Sequence, residues 1–81
     1  MISVDIHVPV LDRAYDFELN EELETGRLIE DILILIAREE HLHESEGGNM
    51  YFYAVRQEIV LRREETLGNQ GVRNGDRLVL I

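Results

Sequence analysis

The 81-residue sequence contains no cysteine and no lysine. Without cysteine the chain can form neither a disulfide nor a cysteine-ligated iron–sulfur cluster, and thiol chemistry is excluded. All eight basic residues are arginine, so the sequence offers no lysine amine for a Schiff base or a P-loop. It also offers no lysine that could accept an isopeptide-linked chain. These absences remove several classes of enzyme and one route of modification.

Long hydrophobic runs are missing as well. The longest strongly apolar run, Ile32 to Ala37, falls far short of the roughly 20 residues needed to span a bilayer. The first residues, Met1 to Asp5, carry no basic segment and lead directly into a predicted strand, so we expect no signal peptide and a cytoplasmic location. We expect residues 1–81 to form a single domain with one modest core.

The charge is strongly unbalanced toward acidic residues. Seventeen acidic residues against eight basic ones give a net charge of −9 at neutral pH. Nucleic-acid backbones and anionic lipid surfaces bind clustered Lys and Arg, so both would repel this chain. A basic or apolar protein surface is the partner most compatible with this balance, although a requirement for solubility explains the acidity equally well.

The segment Thr25 to Glu40 has the periodicity of an amphipathic helix. At about 100° per residue, one broad apolar stripe contains Leu28, Ile29, Ile32, Leu33, Leu35 and Ile36. We expect the Thr25 hydroxyl to cap the first turn. Ile34 projects from the opposite, polar side, where a contact with a partner would begin if the helix made one. The stripe must be buried, and the short β-type runs on either side are the elements available to cover it.

Those short runs predict five strands. Their predicted ranges are Ile2–Val8, Tyr15–Leu19, Tyr51–Val55, Ile59–Leu61 and Leu78–Ile81. The first two strands form a hairpin, because they alternate apolar and polar residues and flank a turn at 9–13. The resulting order is β-β-α-β-β-β, and we expect the closing strand to run parallel to the first.

Two histidines in the polar segment after the helix raise the question of a metal site. His41, His43 and Glu44, with His7 as an additional ligand, are residue types that bind transition metals. The His-x-His spacing is weak evidence, since no second motif completes a coordination shell. A solvated loop is the preferred interpretation, and we expect neither a metal nor a cofactor.

The sequence offers no convincing catalytic group. It has no recognisable nucleophile–base pair and no phosphate-cradling glycine loop. The carboxylate pairs Glu39-Glu40 and Glu64-Glu65 lie in polar runs, where a solvated surface is the preferred interpretation. A domain this small rarely encloses a pocket deep enough to shift carboxylate pKa values for acid–base chemistry. We therefore expect a protein that is not an enzyme.

The carboxyl-terminal part carries a recognisable pattern. Its residues are Thr66-Leu67, Gly71-Val72, Gly75-Asp76, Leu78 and Leu80. This pattern resembles the ending of ubiquitin-like β-grasp proteins, and with the first strand and the apolar helix it is similar to the YukD-like family, the small ubiquitin-like proteins of bacterial type VII secretion systems. The resemblance implies an α+β fold, in which a mixed sheet of about four or five strands wraps one central helix in the order ββαβββ.

The resemblance also implies a function. A YukD-like protein would be a non-catalytic protein-interaction module, an accessory or regulatory component of a secretion machine. Its partners would be protein subunits of that machine or a second copy of itself. It would act in the cytoplasm, or at the inner face of the membrane through a protein partner.

The sequence departs from ubiquitin at its end. Conjugation and sulfur transfer need a flexible tail ending in Gly-Gly, whereas this sequence ends in the apolar residues 78–81 and its Gly47-Gly48 pair is internal. We therefore expect no conjugation. Two alternatives stay open: a covalent modifier or sulfur carrier made as a longer precursor, and a fragment of a larger membrane subunit of the secretion machine.

An apolar patch on the outside of the sheet is the predicted protein-binding site. The candidate residues are Ile34, Phe52, Ala54, Arg77, Val79 and Ile81. By ubiquitin-like geometry, Val79 and Ile81 face outward from the closing strand. Phe52 and Ala54 are expected beside them across the sheet. Such a patch usually binds a partner or a second copy; the alternative is that the stems of arginines such as Arg56 shield it.

Overall fold

The computed structural model describes residues 1–41 and 50–81, which form one five-stranded sheet and one long helix. The elements are β1 (Ile2–Val8), β2 (Arg13–Leu19), α1 (Thr25–Glu39), β3 (Phe52–Ala54), β4 (Ile59–Val60) and β5 (Arg77–Leu80). Two short 3-10 helices, Pro9–Leu11 and Gly68–Gln70, lie in the connections. The predicted order ββαβββ is confirmed.

The strands lie in the order β2-β1-β5-β3-β4. β1 pairs with β2 as an antiparallel hairpin and with β5 in parallel. β3 then pairs antiparallel with both β5 and β4. The first and last strands of the chain therefore lie side by side at the centre of the sheet, as the sequence predicts.

The core lies between α1 and one face of the sheet. Alternate residues of β1 and one stripe of α1 contribute to it, as their periodicities predict. The buried apolar residues of the sheet and helix include Val4, Ile6, Val8, Leu28, Ile29, Ile32, Ile36, Phe52, Leu78 and Leu80. Full burial of one such side chain is worth about 1.5–3 kcal/mol. This shared core holds the helix on the sheet.

Two predictions for the helix are wrong. Leu35 is 50% exposed, because it lies at the margin of the stripe, where it lines a groove beside β2 instead of entering the core. Thr25 is the first residue of the helix and not its cap; Glu24 occupies the cap position without a side-chain hydrogen bond. The buried Thr25 hydroxyl instead donates to the Glu65 carbonyl oxygen (2.8 Å) and accepts from the Gln70 side-chain amide (3.1 Å). It ties the start of α1 to the connection before β5.

The connection between β4 and β5 owes its shape to buried apolar residues and two glycines. Leu67 and Val72 are buried in the core. Gly71 and Gly75 have φ angles of 79° and 88°, which glycine adopts more readily than any other residue. The Gly75 amide donates to the Ser3 carbonyl oxygen at 2.7 Å, so the second turn delivers the chain directly alongside β1.

An ion pair fixes the last turn before β5. Arg56 donates from Nε and Nη2 to the two carboxylate oxygens of Asp76, at 2.9 and 3.0 Å. Asp76 is buried and also accepts from the Arg73 amide at 2.9 Å. Arg56 further donates to the Gly71 carbonyl oxygen at 2.6 Å. The hydrogen bond from Arg56 is the main reason that the pKa of Asp76 lies below its ordinary value. The aspartate of the carboxyl-terminal pattern thus has a structural task.

We expect Asp76→Asn to destabilise the protein by about 1–2 kcal/mol at neutral pH, a value reduced by the partial exposure of Arg56. Because folding depresses the pKa of Asp76, its contribution is present above the ordinary carboxyl pKa and is lost as the pH falls through the folded value. Urea unfolding at pH 7 and below about pH 4 measures both effects.

The exposed Asp31 on α1 supplies the control, since Asp31→Asn should change the free energy of unfolding by less than about 0.5 kcal/mol. The difference in the free energy of unfolding between the wild type and Asp76→Asn should decrease on acidification. A difference that stayed constant across the acidic range would contradict the assigned role of the Arg56–Asp76 pair.

Candidate protein-binding surface

The face of the sheet opposite α1 carries a continuous line of side chains that we call the outer row. It consists of His7, Val79, Tyr53 and Val60, which are cross-strand partners on β1, β5, β3 and β4. Cross-strand partners point to the same face of a sheet, so the four side chains form one stripe. Val60 is 51% exposed and the other three are half-buried. The outer row is predominantly apolar and open to a partner.

A charged row runs beside the outer row. Asp16, Asp5 and Arg77 are partners in register on β2, β1 and β5. Arg77 donates from Nε to an Asp5 carboxylate oxygen at 2.9 Å. The Val55 amide donates to the Arg77 carbonyl oxygen at 3.1 Å, and the Val55 side chain is 40% exposed. Arg77 and Arg56 both bind carboxylates, which argues against their serving mainly as a cover for the apolar stripe.

The expectation that Phe52 and Ala54 lie on the outer surface is wrong. Phe52 is fully buried and Ala54 is 1% exposed. The register pairs Phe52 with Leu80 and Ala54 with Leu78, so all four side chains face α1. The outward residue of β3 is Tyr53, which the sequence reasoning missed. The sequence carries no signal that separates the two faces of this apolar strand; the register that pairs Tyr53 with Val79 decides them.

The other predicted site residues are in separate places. Val79 lies in the outer row, and Arg77 lies beside it. Ile81 is half-exposed just beyond β5, where its backbone exchanges two hydrogen bonds with that of Tyr51, at 2.8 and 2.9 Å. Ile34 is half-buried on α1, across the core from the outer row. Three of the six predicted residues therefore share the outer side of the sheet, and their role in binding stays a prediction.

The predicted loop histidines fall largely beyond the described part of the chain. His41 is exposed at the end of the helix, whereas His43, Glu44 and the Gly47-Gly48 pair lie outside the described residues. Within 1–41 and 50–81, His, Asp and Glu form no group of three or more that could hold a metal ion. In the same ranges, no helix has both the length and the apolar character to cross a membrane.

The architecture defines the class of the protein. A hairpin, one helix across the sheet and a closing strand parallel to the first make up the ubiquitin-like β-grasp, an α+β fold. The chain belongs to the family described as "WXG100 protein secretion system (Wss), protein YukD", whose model matches residues 2–80. The resemblance seen in the sequence is thereby confirmed.

Solved structures with the same fold come from several proteins. The EccD5 ubiquitin-like domain from Mycobacterium xenopi is 23% identical with a TM-score of 0.76, over 99% of this chain and 91% of that one. A ubiquitin-like domain of an Arabidopsis thaliana protein is 17% identical with a TM-score of 0.75, over 99% and 74%. A chain of the MycP5-free ESX-5 inner membrane complex is 20% identical with a TM-score of 0.75, over 99% of this chain but 20% of that chain. At these identities the likeness shows the fold alone. No curated protein matches the sequence.

The assignment of β3 side chains to the two faces can be tested by stability. Phe52→Ala should cost about 3–5 kcal/mol, because it removes a fully buried ring from the core. Tyr53→Ala should cost about 1 kcal/mol or less, because that side chain packs on the outer row. Urea unfolding measures the free energy of unfolding of both variants. Equal losses of stability would contradict the assignment of the two side chains to opposite faces.

Proposed function

We propose that this protein is a non-catalytic protein-interaction module of a WXG100, or type VII, secretion system, and that it binds a protein partner through the outer row. The observation that carries the proposal is the stripe formed by His7, Val79, Tyr53 and Val60 in a chain of the YukD family. Residues 1–81 would act as a single ubiquitin-like domain.

The chemistry of the outer row suits protein binding. A half-buried tyrosine at its centre offers a large apolar body with a polar tip, which is the kind of side chain that dominates binding energy at interfaces. The neighbouring ion pair between Arg77 and Asp5 supplies a polar rim. The stripe is narrow, so we propose a partner that contacts this face without enclosing the domain.

The structural relatives suggest where the partner is found. One similar fold is the EccD5 ubiquitin-like domain, and another is part of the ESX-5 inner membrane complex. We propose that the present protein works in the cytoplasm and reaches the inner face of the membrane through a protein subunit of such a machine.

A catalytic role is not proposed, because Asp76, the buried carboxylate among residues 1–41 and 50–81, is already engaged. Asp76 accepts hydrogen bonds from Arg56 and from the Arg73 amide, which are structural contacts of the turn before β5. The hydrogen bond from Arg56 lowers the pKa of Asp76, which keeps the carboxylate charged. A general acid near neutral pH would need a raised pKa instead.

Covalent modification is the alternative function. It would require a free tail, whereas the backbone is held in the sheet through Ile81 by its two hydrogen bonds with Tyr51. Any conjugating tail would have to follow that residue. We propose non-covalent binding, and mass spectrometry of the protein from its native cells tests it: a thiocarboxylate or a covalently attached protein would favour the alternative.

Substitutions on β4 test the outer row with a matched control. Val60→Glu places a charge in the outer row, whereas Ile59→Glu places the same charge on the other face of the same strand at a similar exposure of 45%. Affinity purification from native cells should recover secretion-system subunits with the wild type and Ile59→Glu. Val60→Glu and Tyr53→Ala should reduce recovery by about tenfold or more, a loss of at least about 1.4 kcal/mol.

Equal recovery with Val60→Glu and Ile59→Glu would contradict binding through the outer row. Recovery of only a second copy of the chain would contradict a secretion-machine partner. Sedimentation of the purified protein over a range of concentrations measures that self-association directly.

A further inference from the structure

β2 is an edge strand with an open side. It pairs with β1 on one side, and no strand among residues 1–41 and 50–81 pairs with its other side. A strand edge of seven residues presents backbone donors and acceptors that can pair with another extended chain. The edge is thus a template for an added strand, provided that its surroundings suit one.

The register shows which backbone groups of β2 are available. The Asp5 amide donates to the Asp76 carbonyl oxygen at 2.9 Å, and the Ser3 carbonyl oxygen accepts from the Gly75 amide at 2.7 Å. The backbone groups of the odd-numbered residues of β1 therefore form their hydrogen bonds on the β5 side. Backbone groups alternate in direction along a strand, so Val4 and the other even-numbered residues of β1 bond to β2.

Their partners on β2 are therefore hydrogen-bonded within the hairpin, because Val4 pairs with Phe17 and Ile6 pairs with Tyr15. The intervening residues Ala14, Asp16 and Glu18 direct their amides and carbonyls away from the sheet. These three residues form the open edge.

A groove of about 490 Å³ runs along this edge between β2 and α1. Its apolar lining comes from Leu35, which is half-exposed, and from Tyr15 and Phe17, which are half-buried against the core. The Tyr15 hydroxyl is buried with no hydrogen-bond partner among the described residues. Burial and, secondly, the charge of Glu40 raise the pKa of Tyr15 above its ordinary value, so the hydroxyl is neutral and can donate.

The rim of the groove is acidic. Asp16, Glu39 and Glu40 line it, and the single arginine there, Arg13, is paired with Glu40 at 3.0 Å. Asp16 lies on the outer face of β2, and Glu18 projects to the same face two residues further along the strand. A chain added beside β2 would place its side chains alternately over the groove and beside these carboxylates.

We propose that the open edge of β2 binds an extended segment of a partner protein that alternates apolar residues with arginine or lysine. The segment adds to the sheet as a further strand through the backbones of Ala14, Asp16 and Glu18. Its apolar side chains enter the groove against Leu35, and its basic side chains face Asp16 and Glu18. The open backbone edge and the groove are not part of the outer row, although Ala14 on β2 is the cross-strand partner of His7. The proposal therefore does not rest on the proposed function.

Charge argues against a second copy of the chain as the occupant. Pairing of two β2 strands would bring Asp16 and Glu18 of both copies onto one face, where like charges across neighbouring strands are destabilising. The basic side chains of an alternating apolar and basic segment would instead pair with the carboxylates of Asp16 and Glu18. Strand addition with side-chain specificity of this kind is an established mode of peptide recognition.

Capped synthetic peptides of about eight residues test the proposal. One alternates valine and arginine, a second alternates valine and glutamate, and a third has the composition of the first with its valines and arginines in two blocks. We expect the first to bind best. It should slow hydrogen exchange of the Ala14, Asp16 and Glu18 amides, while those of Tyr15 and Phe17 are already protected in the free protein.

Two variants assign the contacts, each with a matched control. Leu35→Glu and Asp16→Arg should each weaken binding of the alternating valine–arginine peptide about tenfold or more, whereas Ile59→Glu and Asp31→Arg, exposed positions elsewhere, should leave it unchanged. Binding should also weaken as salt is added.

Three results would overturn the proposal. The block peptide could bind as tightly as the alternating one, which would mean that charge alone attracts it. Exchange at Ala14, Asp16 and Glu18 could be unchanged with every peptide at saturating concentration. Those amides could instead become protected as the concentration of the protein alone is raised, which would identify a second copy as the occupant.

Discussion

The apolar face of α1 packs against the central parallel strands β1 and β5, and this contact is the constraint on which the rest of the structure depends. Ile29 and Ile32 on the helix and Ile6 and Leu78 on the sheet all belong to the buried core. A helix of this length gains little stability from its own hydrogen bonds in water, so it persists because the sheet buries its stripe. The two strands beneath it come from opposite ends of the chain and must be brought together.

Bringing the chain ends together has an entropic cost, which the connection before β5 helps to offset. Leu67 and Val72 anchor that connection in the core, and the Gln70 side chain links it to the start of α1. The ion pair of Arg56 with Asp76 then holds the last turn at the end of β3. The glycines and the aspartate of the carboxyl-terminal pattern thus help to close the sheet.

Because the helix covers one face of the sheet, the parts of the sheet that stay accessible are the opposite face and the edges. The outer row and the open edge of β2 differ in chemistry. The outer row is apolar and is bordered by a neutralising pair, Arg77 with Asp5. The edge of β2 combines backbone groups, an apolar groove and an acidic rim. The carboxylates of Asp16, Glu39 and Glu40 at that rim can select a basic partner.

The sequence by itself determined the order of elements and the hairpin, because periods of 2 and 3.6 residues report local geometry directly. The outward direction of Val79 was expected from the resemblance to ubiquitin-like proteins, since residues 78–81 are all apolar and do not alternate. Tertiary structure decided the rest. The strand containing Phe52 and Ala54 is apolar on both faces, so alternation cannot say which face meets the helix; the register with β5 does. A helical projection likewise gives the angle of Leu35 but not how far the sheet extends beneath it. That side chain stays half-exposed because the sheet ends at β2, and the width of a sheet follows from pairing between distant parts of the chain.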